Sequence, residues 1–271
     1  MNKLILGRYF PGASRIHHLD PRAKLISGLA FVFITFLATN IQGLLLLWTF
    51  TFLVMFLSGT GFRTYLRGVR PLIWLILFTV ALQILFTAGG DIYVDWGPFT
   101  ISEFGLINAI YIFSRFVTII FVTTVVTLTT KPVDLTDGIN FLMRPLRFIH
   151  VPVEELSMML TIALRFVPDL LDETQKIMDA QRARGAVFGE GSIFRQMKAL
   201  VPVFLPIFSN SLNRGEELAD IMEVRGYRAE CKRSSYRALK WKMKDTVCLL
   251  VIVLLAAGFI CLNLIYGSFH I

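Results

Sequence analysis

The sequence predicts an all-α integral membrane protein with about five transmembrane helices and a cytoplasmic domain of about three helices, two of them long. Three observations carry this expectation. Hydrophobic residues make up 55% of the 271 residues, charged residues only 17%, and the mean hydropathy is +0.65, which marks a polytopic membrane protein. Five stretches, about 23–39, 43–58, 71–89, 105–130 and 246–267, are long and apolar enough for the roughly 20 residues a bilayer requires. The intervening segment 131–245 is amphipathic at helical period and holds 18 of the 27 Lys and Arg residues.

The elements follow in order. MNKLILGRYFPG is too short an apolar run for a cleavable signal peptide and is broken by Arg8 and Pro11, so the first span is expected to act as its own insertion signal. Asp20-Pro21 reads as N-cap and first helical residue of that span. Asn40-Ile41-Gln42-Gly43 separates spans one and two as a tight hairpin.

Lys3, Arg8, Arg15, Arg22 and Lys24 precede span one, and Arg63, Arg67 and Arg70 lie between spans two and three. The loop GGDIYVDWGPFTISE carries Asp91, Asp95 and Glu103 but no Lys or Arg. The positive-inside rule therefore places the N-terminus inside and this loop outside, with Tyr93 and Trp96 in the aromatic belt. The domains expected are 1–130, a four-helix transmembrane domain; 131–245, cytoplasmic; and 246–271, a C-terminal transmembrane helix. The net charge of +8 is then an orientation signal that also attracts anionic headgroups, and nucleic acid is not an expected partner.

Within 131–245, a short helix (about 134–148) precedes a long one from Val153 to Arg184. Its apolar face holds Leu156, Leu160, Ala163, Val167, Leu170, Ile177 and Met178. Its polar face holds Glu154, Thr161, Arg165, Asp169, Asp172, Lys176 and Asp179. Pro168 is expected to kink it. A third helix runs from Ser192, an N-cap, to Arg225, with Leu200, Phe204, Phe208, Leu212, Leu218, Ile221 and Met222 as its stripe and Pro202 and Pro206 bending its first half. These faces are wider than two helices need for packing on each other. Part of the excess, including Met143, Met158, Met159, Leu160, Met178, Phe204 and Phe208, reads either as packing beneath the membrane domain or as a docking surface for another membrane protein.

Both long helices stop on small-Arg-Gly: Ala183-Arg184-Gly185 and Val224-Arg225-Gly226. Arg in the last turn followed by Gly is the ordinary stop signal. Two such stops in one segment ask for a further role. Catalytic signatures are lacking. The sequence has no G-x-x-x-x-G-K-[ST] loop, no H-E-x-x-H, no G-x-S-x-G and no Cys/His cluster, so neither enzyme activity nor a metal or cofactor is expected. Cys231, Cys248 and Cys261 read as reduced fillers. Arg115, in the middle of span four, is the one intramembrane charge that stands out. It reads as a structural donor to a carbonyl or carboxylate, or, in a self-sufficient secondary transporter, as a substrate or proton site.

The motifs SRIHHLDPRAKL, TLTTKPVDLTDG, HVPVEELSMMLTIALRFVPDLLDE, AQRARG and GEELADIMEVRGY occur in this order along almost the whole chain. In them the chain resembles the transmembrane (T) component of energy-coupling factor transporters. The resemblance implies a non-catalytic scaffold in an ATP-driven importer of vitamins or metals in a prokaryotic plasma membrane. It implies that 131–245 is a coupling domain whose two long helices cross, and that Ala183-Arg184-Gly185 and Val224-Arg225-Gly226 dock two P-loop ATPase subunits. ATP and Mg would be bound by those partners, not by this chain. An exchangeable substrate-binding membrane subunit would rest on the apolar faces. Val224 stands where the family usually has Ala.

Overall fold

The computed structural model describes residues 12, 14–87, 89–96, 99–149, 151–189, 191–228, 239 and 241–266. Cys231 lies outside them. The chain forms two compact units, residues 1–142 with 239–271, and residues 143–238. The first boundary falls at 142/143, at the last residue of the helix Pro132–Met143.

The first unit is a helical bundle. Its elements are α1 (Pro21–Thr35), α2 (Ile41–Ser58), α3 (Phe62–Val69), α4 (Ile73–Phe86), α5 (Glu103–Thr129), α6 (Pro132–Met143) and α9 (Met243–Tyr266). α5 lies at the centre. Its 27 residues extend about 40 Å at 1.5 Å per residue, and it packs against α1, α2, α3 and α4. Gly105 lets α4 approach: an added Cβ would meet the Ile84 and Thr87 carbonyls at 3.3 Å. Ser102 caps α5 by accepting from Gly105 N at 3.1 Å, while its hydroxyl donates to Thr87 O at 2.6 Å.

Apolar packing has two centres. Phe31, Leu47, Val122, Ile252 and Phe259 join α1, α2, α5 and α9. Met55, Tyr65, Ile76, Val117 and Phe121 join α2, α3, α4 and α5.

The spans differ from expectation in three places. α2, α5 and α9 are each long and apolar enough to cross a membrane. The predicted span 71–89 is only the 14-residue α4, and it qualifies as a crossing only together with α3, from which it bends by 63°. α1 ends after 15 residues, and the chain reaches Ala38 through a tighter turn of i→i−3 bonds at Phe36, Leu37 and Ala38. Gly43, read as part of the break, lies in the first turn of α2, where its missing Cβ leaves room for the ring of buried Phe259. The loop between α4 and α5 holds an antiparallel hairpin, β1 (Ile92–Trp96) with β2 (Phe99–Ser102). This is the one departure from an all-helical chain among the described residues.

Polar groups fasten α1 at both ends. Asp20 caps it by accepting from Arg22 N at 2.9 Å, with Pro21 next, as the sequence predicts. Buried Asp245 at the start of α9 accepts from Asp20 N and Lys242 N, each at 2.8 Å. Buried Lys24 donates to Thr129 O at 2.9 Å and His17 O at 3.3 Å. It thereby places a cation at the negative end of α5. At the other end, Asn263 donates to Leu37 O at 2.9 Å and accepts from Thr39 Oγ1 at 3.0 Å.

The second unit holds a 3-10 turn at Arg144–Ile149, α7 (Val153–Ala183) and α8 (Ile193–Val224). Pro168, Pro202 and Pro206 lie inside helices that continue through them. Ser192 occupies the N-cap position of α8 in extended conformation, without a side-chain cap bond.

Asp245→Ala strands the buried N–H of Asp20 and the part-buried N–H of Lys242 and is expected to cost about 1–3 kcal/mol. Thermal unfolding in detergent checks this: Asp245→Asn, which keeps one carbonyl acceptor, should lose less than Asp245→Ala.

Candidate functional site

Both long helices end in the same backbone device. Gly185 has φ +87° and Gly226 φ +73°, the left-handed conformation that closes a helix at low cost only with glycine. At the first end Gly185 N donates to Arg182 O and Ala186 N to Gln181 O, both at 2.9 Å. At the second, Gly226 N donates to Glu223 O at 2.8 Å and Tyr227 N to Met222 O at 2.9 Å. These paired bonds are a Schellman motif at each end, so the ordinary reading of Arg-Gly as a stop holds. It leaves the arginines over. Arg184 and Arg225 take the C-cap position and are exposed, as are Ala183 and Val224. Arg182, by contrast, is held on its own helix by Asp179 at 3.0 Å and lies over the Phe188 ring at 5.8 Å.

Between these ends and the apolar faces, α7 and α8 meet through charge. Glu173 accepts from Asn210 Nδ2 at 2.6 Å and pairs with Arg214 at 3.2 Å. Sequence reasoning missed this contact, although a signal was present. Glu173 stands three residues after Leu170 and four before Ile177, within the apolar stripe of α7. Arg214 stands four before Leu218 on α8. Opposite charges in two facing stripes are what a charged crossing needs.

The predicted docking residues distribute unevenly. Met143 closes α6 and is half-buried. Met158, Met159 and Leu160 are consecutive, so they fan over about 200° of α7 and do not share one face. Met158 is half-buried, while Met159 and Leu160 are exposed. Phe204 and Phe208 do share a face of α8, stacked at 5.9 Å, and are 64% and 52% exposed. Leu200, Leu205, Leu212 and Ile221 extend the exposed apolar surface of α8.

Arg115 is placed elsewhere, inside the first unit. It donates through NH2 to Ala38 O at 2.9 Å and lies 6.0 Å from the Phe36 ring. A carbonyl partner is one of the two the sequence suggested. Among the described residues no group of His, Cys, Asp or Glu is arranged to hold a metal ion.

Residues 12–236 match the family model described as "CbiQ: Cobalt transport protein". The chain is also similar to the energy-coupling factor transporter transmembrane protein EcfT 1 of Listeria monocytogenes serotype 1/2a (strain 08-5578). Identity there is 52% over 263 residues, 97% of this chain and 99% of the relative. It is 54% identical over 247 residues to EcfT of Lacticaseibacillus paracasei, covering 91% of this chain and 94% of the relative. To EcfT of Bacillus subtilis (strain 168) it is 46% identical over 257 residues, covering 95% and 97%. The chain belongs to the family of energy-coupling factor transporter transmembrane proteins. In this member of the family both small-Arg-Gly stops and the charged contact at Glu173 fall within the matched residues.

Two outcomes test the site as built. No atom lies within 4 Å of where a Cβ on Gly185 would sit, so Gly185→Ala carries only the left-handed penalty, about 1–2 kcal/mol. Hydrogen exchange at the Ala186 amide should accelerate, and Gly185→Asn should accelerate it less. Arg115→Leu bares the Ala38 carbonyl and is expected to lower stability by about 1–3 kcal/mol. If Arg115 is structural, the protein that remains folded still supports transport; a substrate site would lose transport at unchanged stability.

Proposed function

We propose that this chain is the non-catalytic scaffold and energy-coupling subunit of an ATP-driven importer of a vitamin or other micronutrient. It acts within a multi-subunit complex in a prokaryotic plasma membrane, with 131–245 in the cytoplasm. The observation that carries this reading is the pair of identical, exposed Arg-Gly helix ends. Each Schellman motif takes up two of the last carbonyls, and the side chain left for a partner at each end is a guanidinium. Its planar fork of donors grips carboxylates and carbonyls bidentately, and the small residues beside it admit a partner close to the backbone. Two P-loop ATPase subunits bind there, and ATP and Mg belong to them.

The Glu173–Arg214 contact supports a lever. Ala183 is ten residues beyond Glu173, and Val224 is ten beyond Arg214, about 15 Å of helix in each case. The opposite arms, back to Val153 and Ile193, are about twice as long. Closure of the ATPases at the short arms changes the angle between the helices. An exchangeable substrate-binding membrane subunit resting on the exposed apolar surface around Phe204 and Phe208 follows that motion.

The double replacement Arg184→Gln with Arg225→Gln tests this. Truncating a buried interfacial charge costs about 2–5 kcal/mol. The expected result is loss of ATPase subunits on purification, or ATP hydrolysis without uptake, with the membrane domain still folded. Full uptake by the double variant overturns the proposal.

A further inference from the structure

α2 and α9 form a wedge. They touch where Phe259 packs at Gly43 and where Leu46 lies 3.9 Å from the Cβ position of Gly258. Toward Leu57 and Met243 they part. The space between them, walled by α1 and α5, is a groove of about 570 Å³, within the roughly 300–1,000 Å³ of ligand pockets. Its deep end is apolar, with core residues Phe31 and Ile252 in the wall. At its wide end stand Arg15, Lys24 and Lys244, and no Asp or Glu is among its lining residues. Lys24 is buried and donates to Thr129 O and His17 O. Arg15 and Lys244 are exposed.

The groove therefore has the polarity of an amphiphile: a long apolar slot with two exposed cations at one mouth. A helix is about 10 Å across and does not enter a wedge that closes on side-chain contact, whereas an acyl chain does. On the orientation given by the positive-inside rule, Arg15 and Lys244 stand at the level of the cytoplasmic headgroups, where anionic lipids concentrate near Lys and Arg.

We propose that the α2–α9 groove is a binding site for one anionic glycerophospholipid of the cytoplasmic leaflet. Its acyl chain lies between α2 and α9, and its phosphate meets Arg15 and Lys244. The occupant completes the wall that α2 and α9 leave open and ties the groove to membrane composition. The proposal rests on the orientation used under the proposed function but not on the ATPase contacts.

The test uses the full chain purified with its partner subunits in mild detergent, stripped of lipid and offered equal phosphatidylglycerol and phosphatidylcholine. Native mass spectrometry then counts the lipids retained on this chain. One phosphatidylglycerol should remain, preferred over phosphatidylcholine by roughly fivefold for each cation engaged. Arg15→Gln with Lys244→Gln should abolish that preference. Val251→Trp, which fills the slot from α9, should reduce retention of both lipids several-fold. Equal retention of the two lipids by the unaltered chain overturns the proposal. So does a wild-type preference in the double glutamine variant, or full lipid retention with tryptophan in the slot. Subunit association, read in the same spectra, reports separately on the scaffold function. Its loss in the unaltered preparation counts against that function and leaves the lipid comparison readable.

Discussion

Backbone carbonyls at the end of a helix that turn into a packed apolar interior must find donors there, because each one left bare costs about 1–3 kcal/mol. α1 creates this problem by ending after 15 residues, and two long-range donors answer it. Arg115 of α5 reaches Ala38 O, and Asn263 of α9 reaches Leu37 O. Much of the bundle is arranged around that answer. Arg115 anchors α5 to the turn, while Thr39 holds the side chain of Asn263 in place. One turn before Asn263, Phe259 settles on Gly43 and joins the core with Phe31 and Leu47. An arginine so engaged is a donor in a fixed position. Its Nη2 holds the Ala38 carbonyl, while its Nε is buried without a hydrogen-bond partner among the described residues.

The same logic governs the opposite end of α1. There Asp20 caps the helix, Asp245 takes the Asp20 amide, and Lys24 closes the C-terminus of α5. Both ends of α1 are thus tied by polar groups that lose much of their partner energy if displaced. With α1 and α9 fastened at each end, α2 need not complete the wall along its whole length. That freedom accounts for a groove beside the core in an otherwise packed bundle.

What was legible in the sequence was what the backbone decides locally. Asp20-Pro21, Arg184-Gly185 and Arg225-Gly226 mark real helix ends because capping depends on residues within one turn. The spans were less legible. The early end of α1 is set by Asn263, more than 220 residues away, and Gly43 reads as a breaker until Phe259 is known to lie against it. The hairpin at Ile92–Ser102 went unread because its strands are only five and four residues long, although Phe99-Thr100-Ile101-Ser102 alternates apolar and polar. In the candidate site the two helix ends were readable and the apolar faces roughly so. Met158, Met159 and Leu160 were grouped by residue type, but consecutive helical positions diverge. Glu173 and Arg214 escaped notice because each helix was read for its own faces, and their meaning appears only when the two stripes face each other.

That charged contact also constrains how α7 and α8 move. An apolar interface between two ridged helices resists rotation because side chains must climb out of grooves. A carboxylate bridged to an amide and a guanidinium fixes a point and leaves the angle comparatively free, since an ion pair falls off gently with distance. The few deeply buried residues of α7 and α8, Val153 and Val203, make little jigsaw packing to oppose such a rotation. The three prolines lie on the longer arms and none beyond Glu173 or Arg214. The proline-bearing arm of α8 is the one that carries Phe204 and Phe208. The short arms, each ten residues of helix without proline and closed by a Schellman motif, are the stiffer ones.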